Sequence, residues 1–147
     1  MDIKAYMEDD LNFIDGLVSE LEANITQWPS EKVMDRSSEM FDAFYRRFAL
    51  EDFLLRHIRP SAEMQAPLKK FLRIRGEFRA NLENILMLHV DEPEFLTEIG
   101  RVHRAVIKHM SYLKEEFEPN FFNKVASEEM AQMSADLEKK LKLLSFT

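Results

Sequence analysis

Only three glycines and five prolines punctuate 147 residues, and between them apolar side chains recur at intervals of three and four. A chain with so few turn formers has few places to reverse, so its segments must be long. Intervals of three and four line one face of an α-helix, whereas a half-buried strand would alternate. No stretch of this chain alternates in that way. The pattern predicts an all-α protein. Its length suits one domain over residues 1–147, with a sizeable core but no room for two.

The apolar spacing divides the chain into helices. Ile3, Met7, Leu11, Ile14, Leu17, Val18, Leu21 and Ile25 form one face over residues 2–27, closed by Trp28-Pro29 because the residue before proline is pushed out of helical geometry. Ser30 is the expected N-cap of a second helix that turns Val33, Met34, Phe41, Phe44, Tyr45 and Phe48 inward. Residues 52–58 read as a separate short helix ended by Arg59-Pro60. A long helix over about 66–88 carries Leu68, Phe71, Leu72, Phe78, Leu82, Ile85 and Leu86 on its core face. Asp91 and Glu94 form a cap-like pair before Phe95, Ile99, Val102, Val106, Met110, Leu113 and Phe117, a run that Pro119 interrupts. The last helix opens at Ser127-Glu128-Glu129, acidic at its positive end and rich in lysine (Lys139, Lys140, Lys142) towards its negative end.

Bulk chemistry removes several functions. A net charge of −7 is unsuited to nucleic acid, whose phosphates call for a basic surface. No apolar stretch approaches bilayer length, and residues 1–25 carry many acids, so neither a membrane span nor a secretory signal is expected. Cysteine is absent, which excludes disulfides and thiolate sites and suits a cytoplasmic protein. With no nucleophile motif and no glycine loop to cradle phosphate, a non-enzymatic role is expected.

Four histidines among many carboxylates raise the question of a metal. Di-iron bundles use Glu-x-x-His, which sets both ligands on one helix face. Here Leu54, Leu86, Gly100 and Val106 stand three residues before His57, His89, His103 and His109. A hemerythrin-like site wants a carboxylate four residues after its histidines, where Ser61, Pro93, Ile107 and Leu113 stand instead. Two histidines four apart, as zinc proteases need, are also missing, so no multi-histidine metal site is expected. On a helical wheel His103 and His109 fall on opposite borders of the apolar stripe, about 120° apart, and cannot converge on one ion. His57, His89 and His109 are expected to be border side chains that cover core with the ring edge and keep a nitrogen solvated or hydrogen-bonded.

The segments FYRRF (44–48), an apolar helix 66–88 and DEPEFLTEIGRVH (91–103) resemble the core helices of bacterial sensor globins. Tyr45 and His103 lie 58 residues apart, near the family's spacing from its aromatic pair to the proximal histidine, and Ile99, Gly100, Val102 and His103 match its I-G-x-V-H run. The chain departs from heme-binding members in having neither glycine nor proline over residues 104–118, where a corner normally follows the histidine. It is most similar to the heme-less branch, through YMEDDLNFIDGLVSELEANITQWP (6–29) and DFLLRHIRP (52–60). That branch includes stand-alone sporulation-inhibitory proteins related to the sensor domains of sporulation histidine kinases and, more distantly, RsbR-type stressosome proteins.

The resemblance implies a globin-like fold whose former heme space is a fatty-acid tunnel, with a chloride or other halide ion nearby, acting on a sporulation histidine kinase pathway. Its implied lining is Phe41, Phe44, Tyr45, Phe48, Leu72, Phe78, Leu82, Ile99, His103 and Val106. A buried acyl carboxylate would want a cation, and Arg56, His57, Arg75, Arg79 and a protonated His103 are the candidates. The alternative is a heme-binding gas sensor with His103 as the iron ligand. Independently of any family, Met130, Met133, Leu137, Leu141 and Leu144 form a narrow stripe that reads as a helix–helix seam. That predicts a homodimer with Leu137 and Leu141 near its seam.

Overall fold

The computed structural model describes residues 1–58, 62–86 and 92–145, and among these all regular structure is helical. In chain order the helices are α1 (Ile3–Asn24), α2 (Ser30–His57), α3 (Ala62–Leu86), α4 (Phe95–Tyr112), a π-helical turn (Leu113–Phe117), α5 (Glu118–Lys124) and α6 (Ser127–Ser145). Arg59-Pro60, Leu88, His89 and Asp91, together with the side chains of Ile85 and Leu86, lie outside the described residues.

Most helix limits follow from the sequence, with four differences, the first being that α3 starts at Ala62 rather than near residue 66 and carries Pro67 within it. Asp2 caps α1, its Oδ1 accepting from the Lys4 and Ala5 amides at 3.0 and 3.2 Å, which satisfies donors that have no partner in a first turn. Ser30, expected as a cap, is instead the first residue of α2, and no side chain caps that end. The short helix expected over 52–58 is the last part of α2, because nothing between Phe48 and Ile58 can break it; Ile58 ends it in an extended conformation. Pro119 does not interrupt the helix either. The turn before it widens to π geometry, with the Glu118 amide donating to the Leu113 carbonyl, and the chain continues as α5. A proline has no N–H and crowds the carbonyl four residues back. The wider turn directly before Pro119 is where that crowding is relieved.

Side-chain contacts show how the helices meet. Arg36 faces Glu20 while Arg47, further along α2, reaches back to Met7 on α1. Arg75 contacts Glu51 and Asp52, while Arg79 lies over Tyr45 and Phe48. Phe71 stacks on Phe117, Phe78 on His109, and Asn81 accepts from Arg101. His103 meets Val18 and Lys114 meets Asp15. In every pair later residues of one helix meet earlier residues of its neighbour, so the ring α1–α2–α3–α4 is antiparallel throughout. This is an up-down-up-down bundle.

α3 stays against α4 and its π turn from Phe71 to Asn81, a length of about 15 Å at 1.5 Å per residue.

The core is a continuous column that includes Ile14, Phe44, Phe71, Leu82, Phe95, Ile99 and Val106, all buried. α6 packs on α1 and α2, with Met133 and Leu137 buried. Leu137 is 3 % exposed in the single chain, and Leu141 is half-buried against the same core. Leu137 is therefore part of the monomer's own core, where α6 seals the groove between α1 and α2, while Leu144 at the end of the stripe is 59 % exposed.

Candidate functional site

The residues expected to line a tunnel form packed core instead. Phe44 meets Phe78 edge-on at 4.9 Å, and Phe48 meets Phe78 at 6.1 Å. Phe41, Leu82, Ile99 and Val106 are buried beside them, and Tyr45 packs against this core half-buried. Leu72 is 49 % exposed. It stands one residue, about 100°, beyond Phe71, outside the inward row of Phe71, Phe78 and Leu82. None of these side chains lines the clefts described below.

The candidate cations do not gather on one point. Arg56 is exposed. The ring of His57 is held between the Phe53 carbonyl (Nδ1, 2.8 Å) and Asp136 (Nε2, 2.9 Å). Arg79 donates to Glu83 and covers Tyr45. His103 is buried with Nε2 3.1 Å from the Val18 carbonyl oxygen, which engages the nitrogen an axial heme ligand would need.

The chemistry at the bundle centre belongs to a residue the sequence pattern did not single out. Arg47, 1 % exposed, donates from Nη2 to Glu118 at 2.6 Å, from Nη1 to Asp10 at 3.2 Å and the Met7 carbonyl at 3.1 Å, and from Nε to Glu51 at 3.3 Å. Arg75 adds a contact to Glu51 at 3.5 Å and donates to Asp52 at 2.6 Å. One network thus ties α1, α2, α3 and α5. Burial opposes the Arg47 charge, but Glu51, Glu118 and Asp10 more than offset it and hold the guanidinium above its ordinary pKa. Burial pushes the Glu51 carboxyl up to about 7 against the pull of Arg47 and Arg75. Burial also raises Glu118, with Arg47 opposing.

His109 departs from its expected border role. It is 3 % exposed, stacked on Phe78 at 4.0 Å, and neither ring nitrogen has a hydrogen-bond partner. Burial, with Arg47 and Arg75 adding, lowers its pKa to about 3, so the ring is neutral. The two borders of the α4 stripe face different neighbours in a bundle. His103 turns to α1 and His109 to α3, and both become interior.

Three cavities lie around the π turn and α5, and two shallower ones of about 400 and 420 Å³ lie along α6. A cleft of about 440 Å³ between α1 and α5 has Leu11, Pro119 and Phe122 as apolar wall and Lys4, Glu8 and Lys114 as charged rim. A second, about 220 Å³, lies between the start of α3 and the π turn, lined by Met64, Pro67, Tyr112, Phe117 and Phe121. Between them is a small, partly open apolar slot of about 10 Å³, walled by Met7, Leu54, Leu55, Phe117, Phe121 and Phe122, and touching Glu51 and Glu118. The slot shares Phe122 with the first cleft and Phe117 and Phe121 with the second. Among the described residues no group of three or more histidines and carboxylates is placed to hold a metal ion, and no helix is long and apolar enough to cross a membrane. Comparison with protein-family models, characterised proteins and solved structures finds no match to this chain.

Proposed function

We propose that this chain is a non-enzymatic regulatory domain that binds a fatty-acyl chain beneath the segment 113–124. The observation that carries the reading is the series of cavities around α5, divided by the rings of Phe117, Phe121 and Phe122. Rotation of these rings joins the spaces into one apolar track, and the first cleft alone lies within the roughly 300–1,000 Å³ of small-ligand sites. The widened turn favours such a track, since π turns recur where a helix is locally deformed for function. Binding rather than catalysis is favoured because the charged atoms of Arg47, Glu51 and Glu118 are committed to one another. The implied link to a sporulation histidine kinase, the halide and the homodimer gain nothing from any residue of the bundle.

Titration with a fluorescent polyene fatty acid tests the reading. Saturable, near-stoichiometric binding is expected, weakened in Leu55→Trp, which narrows the slot from a half-buried position, with helix content checked by circular dichroism. Absence of saturable binding in the wild type would refute it. So would binding unchanged in both Leu55→Trp and Phe122→Trp.

A further inference from the structure

The cleft between α1 and α5 has a rim of mixed charge, four of whose polar side chains are unused. The side chains of Lys4, Glu8, Asn12 and Asn123 line it, and none makes a hydrogen bond or ion pair among the described residues. Lys114, also on the rim, donates to Asp15 at 2.9 Å. Lys4 and Glu8 are four apart on one helix face, an arrangement in which they are able to pair, yet they stand open towards the cleft. With Glu118 held by Arg47 and Lys114 by Asp15, a free fatty-acid carboxylate would meet Glu8 as well as Lys4, so attraction and repulsion nearly cancel. A headgroup carrying both signs would not suffer this, because each charge finds its opposite within one turn of α1. The two amides supply donors for phosphate or ester oxygens.

We infer that the ligand of this cleft is a single-chain lipid with a zwitterionic headgroup, its phosphate at Lys4 and Lys114 and its ammonium at Glu8. The inference rests on the acyl-binding reading above and adds the head. The apolar floor of Leu11, Pro119 and Phe122 then receives the first methylenes and leads them towards the slot.

The test compares lysophosphatidylcholine with the fatty acid of the same chain length, each below its micelle concentration, by calorimetry on the full chain. The lysolipid is expected to bind about tenfold or more tightly, a difference of about 1.4 kcal/mol. Glu8→Gln should narrow that preference and Lys4→Met should weaken the lysolipid selectively, both at exposed positions where folding is little affected. Equal or tighter binding of the fatty acid would overturn the headgroup inference and leave the acyl reading standing. Binding of neither would overturn both. A lysolipid preference unchanged in both variants would place the head elsewhere and also overturn it.

Discussion

Replacing Arg47 by methionine is the perturbation that most directly probes the bundle centre. The side chain keeps most of its length but loses the cation that faces Glu51, Glu118 and Asp10. Glu51 and Glu118 are 2 % and 7 % exposed, so water cannot replace the guanidinium. Removing one partner of a buried ion pair costs about 3–5 kcal/mol, since the charge left behind is unpaired. Glu51 keeps Arg75 at 3.5 Å and Asp10 has partial access to water, which holds the expected loss to that range. With a urea slope of about 2 kcal/mol/M, the unfolding midpoint at pH 7.5 should fall by about 1.5–2.5 M. Without Arg47 the two buried carboxyls stay protonated to higher pH, and each extra proton bound changes the difference by about 1.4 kcal/mol per pH unit. The deficit should therefore shrink at pH 5.5, and His109, relieved of the Arg47 charge, moves the difference the same way. Adding Glu51→Leu and Glu118→Leu to Arg47→Met should restore most of the stability, because an apolar set of similar volume has no charge left to strand. A midpoint shift below about 0.5 M at pH 7.5, or a deficit that grows on acidification, would refute the argument.

Three further outcomes are expected. His109 has a folded pKa of about 3, below its unfolded value, so its contribution is lost as pH falls from about 6.5. Glu51, raised to about 7, acts oppositely: stability is gained as pH falls from 7 towards its unfolded value of about 4.5. The wild type should thus be nearly flat between about pH 5 and 6.5, while His109→Phe should keep gaining stability by about 3 kcal/mol from pH 7 to 4.5. Superimposable urea profiles across that range would show that the ring is not held neutral. Leu137→Glu should cost about 2–4 kcal/mol in thermal melts without changing sedimentation mass, and Leu143→Glu, at a position 65 % exposed, less than about 0.5. Loss of a dimer in folded Leu137→Glu would restore the seam. Gly16→Ala and Gly76→Ala should each stabilise by about 0.5–1 kcal/mol, since both sit within helices and an added Cβ meets nothing within 4 Å; lower melting temperatures would contradict this.

The helices were legible because turn formers are scarce and apolar spacing is regular over long stretches. Their arrangement was not, since a stripe of three-and-four spacing shows which face is buried but not which neighbour covers it. His109 illustrates the limit: a border position is solvent-facing on a lone surface helix and interior where two neighbours flank the stripe. The ion network did leave a signal. Arg47 and Glu51 fall on the same wheel face as Phe44, Phe48 and Leu54, and charges inside an apolar row, four apart, are a sign of a buried pair. The resemblance to a histidine-centred family drew attention to His103 instead. Glu118 was harder to find, because the π turn shifts its register relative to Val106 and Met110, and no spacing rule based on 3.6 residues anticipates that offset.

That offset makes residues 113–117 act as a one-residue shim in the bundle. A regular helix through the same stretch would leave everything downstream rotated by about 100° and displaced by about 1.5 Å along the axis. Glu118 would then swing away from Arg47, and Phe121 would leave the wall that separates slot from cleft. Deleting Glu115, an exposed residue, would remove the extra residue and let the turn close to regular α geometry with Glu118 and Phe121 still in register, whereas inserting a residue there would rotate both by about 100°. Its length, rather than its side chain, is what the segment contributes, and the charge network and the cavity wall at Phe121 are set to the same shim.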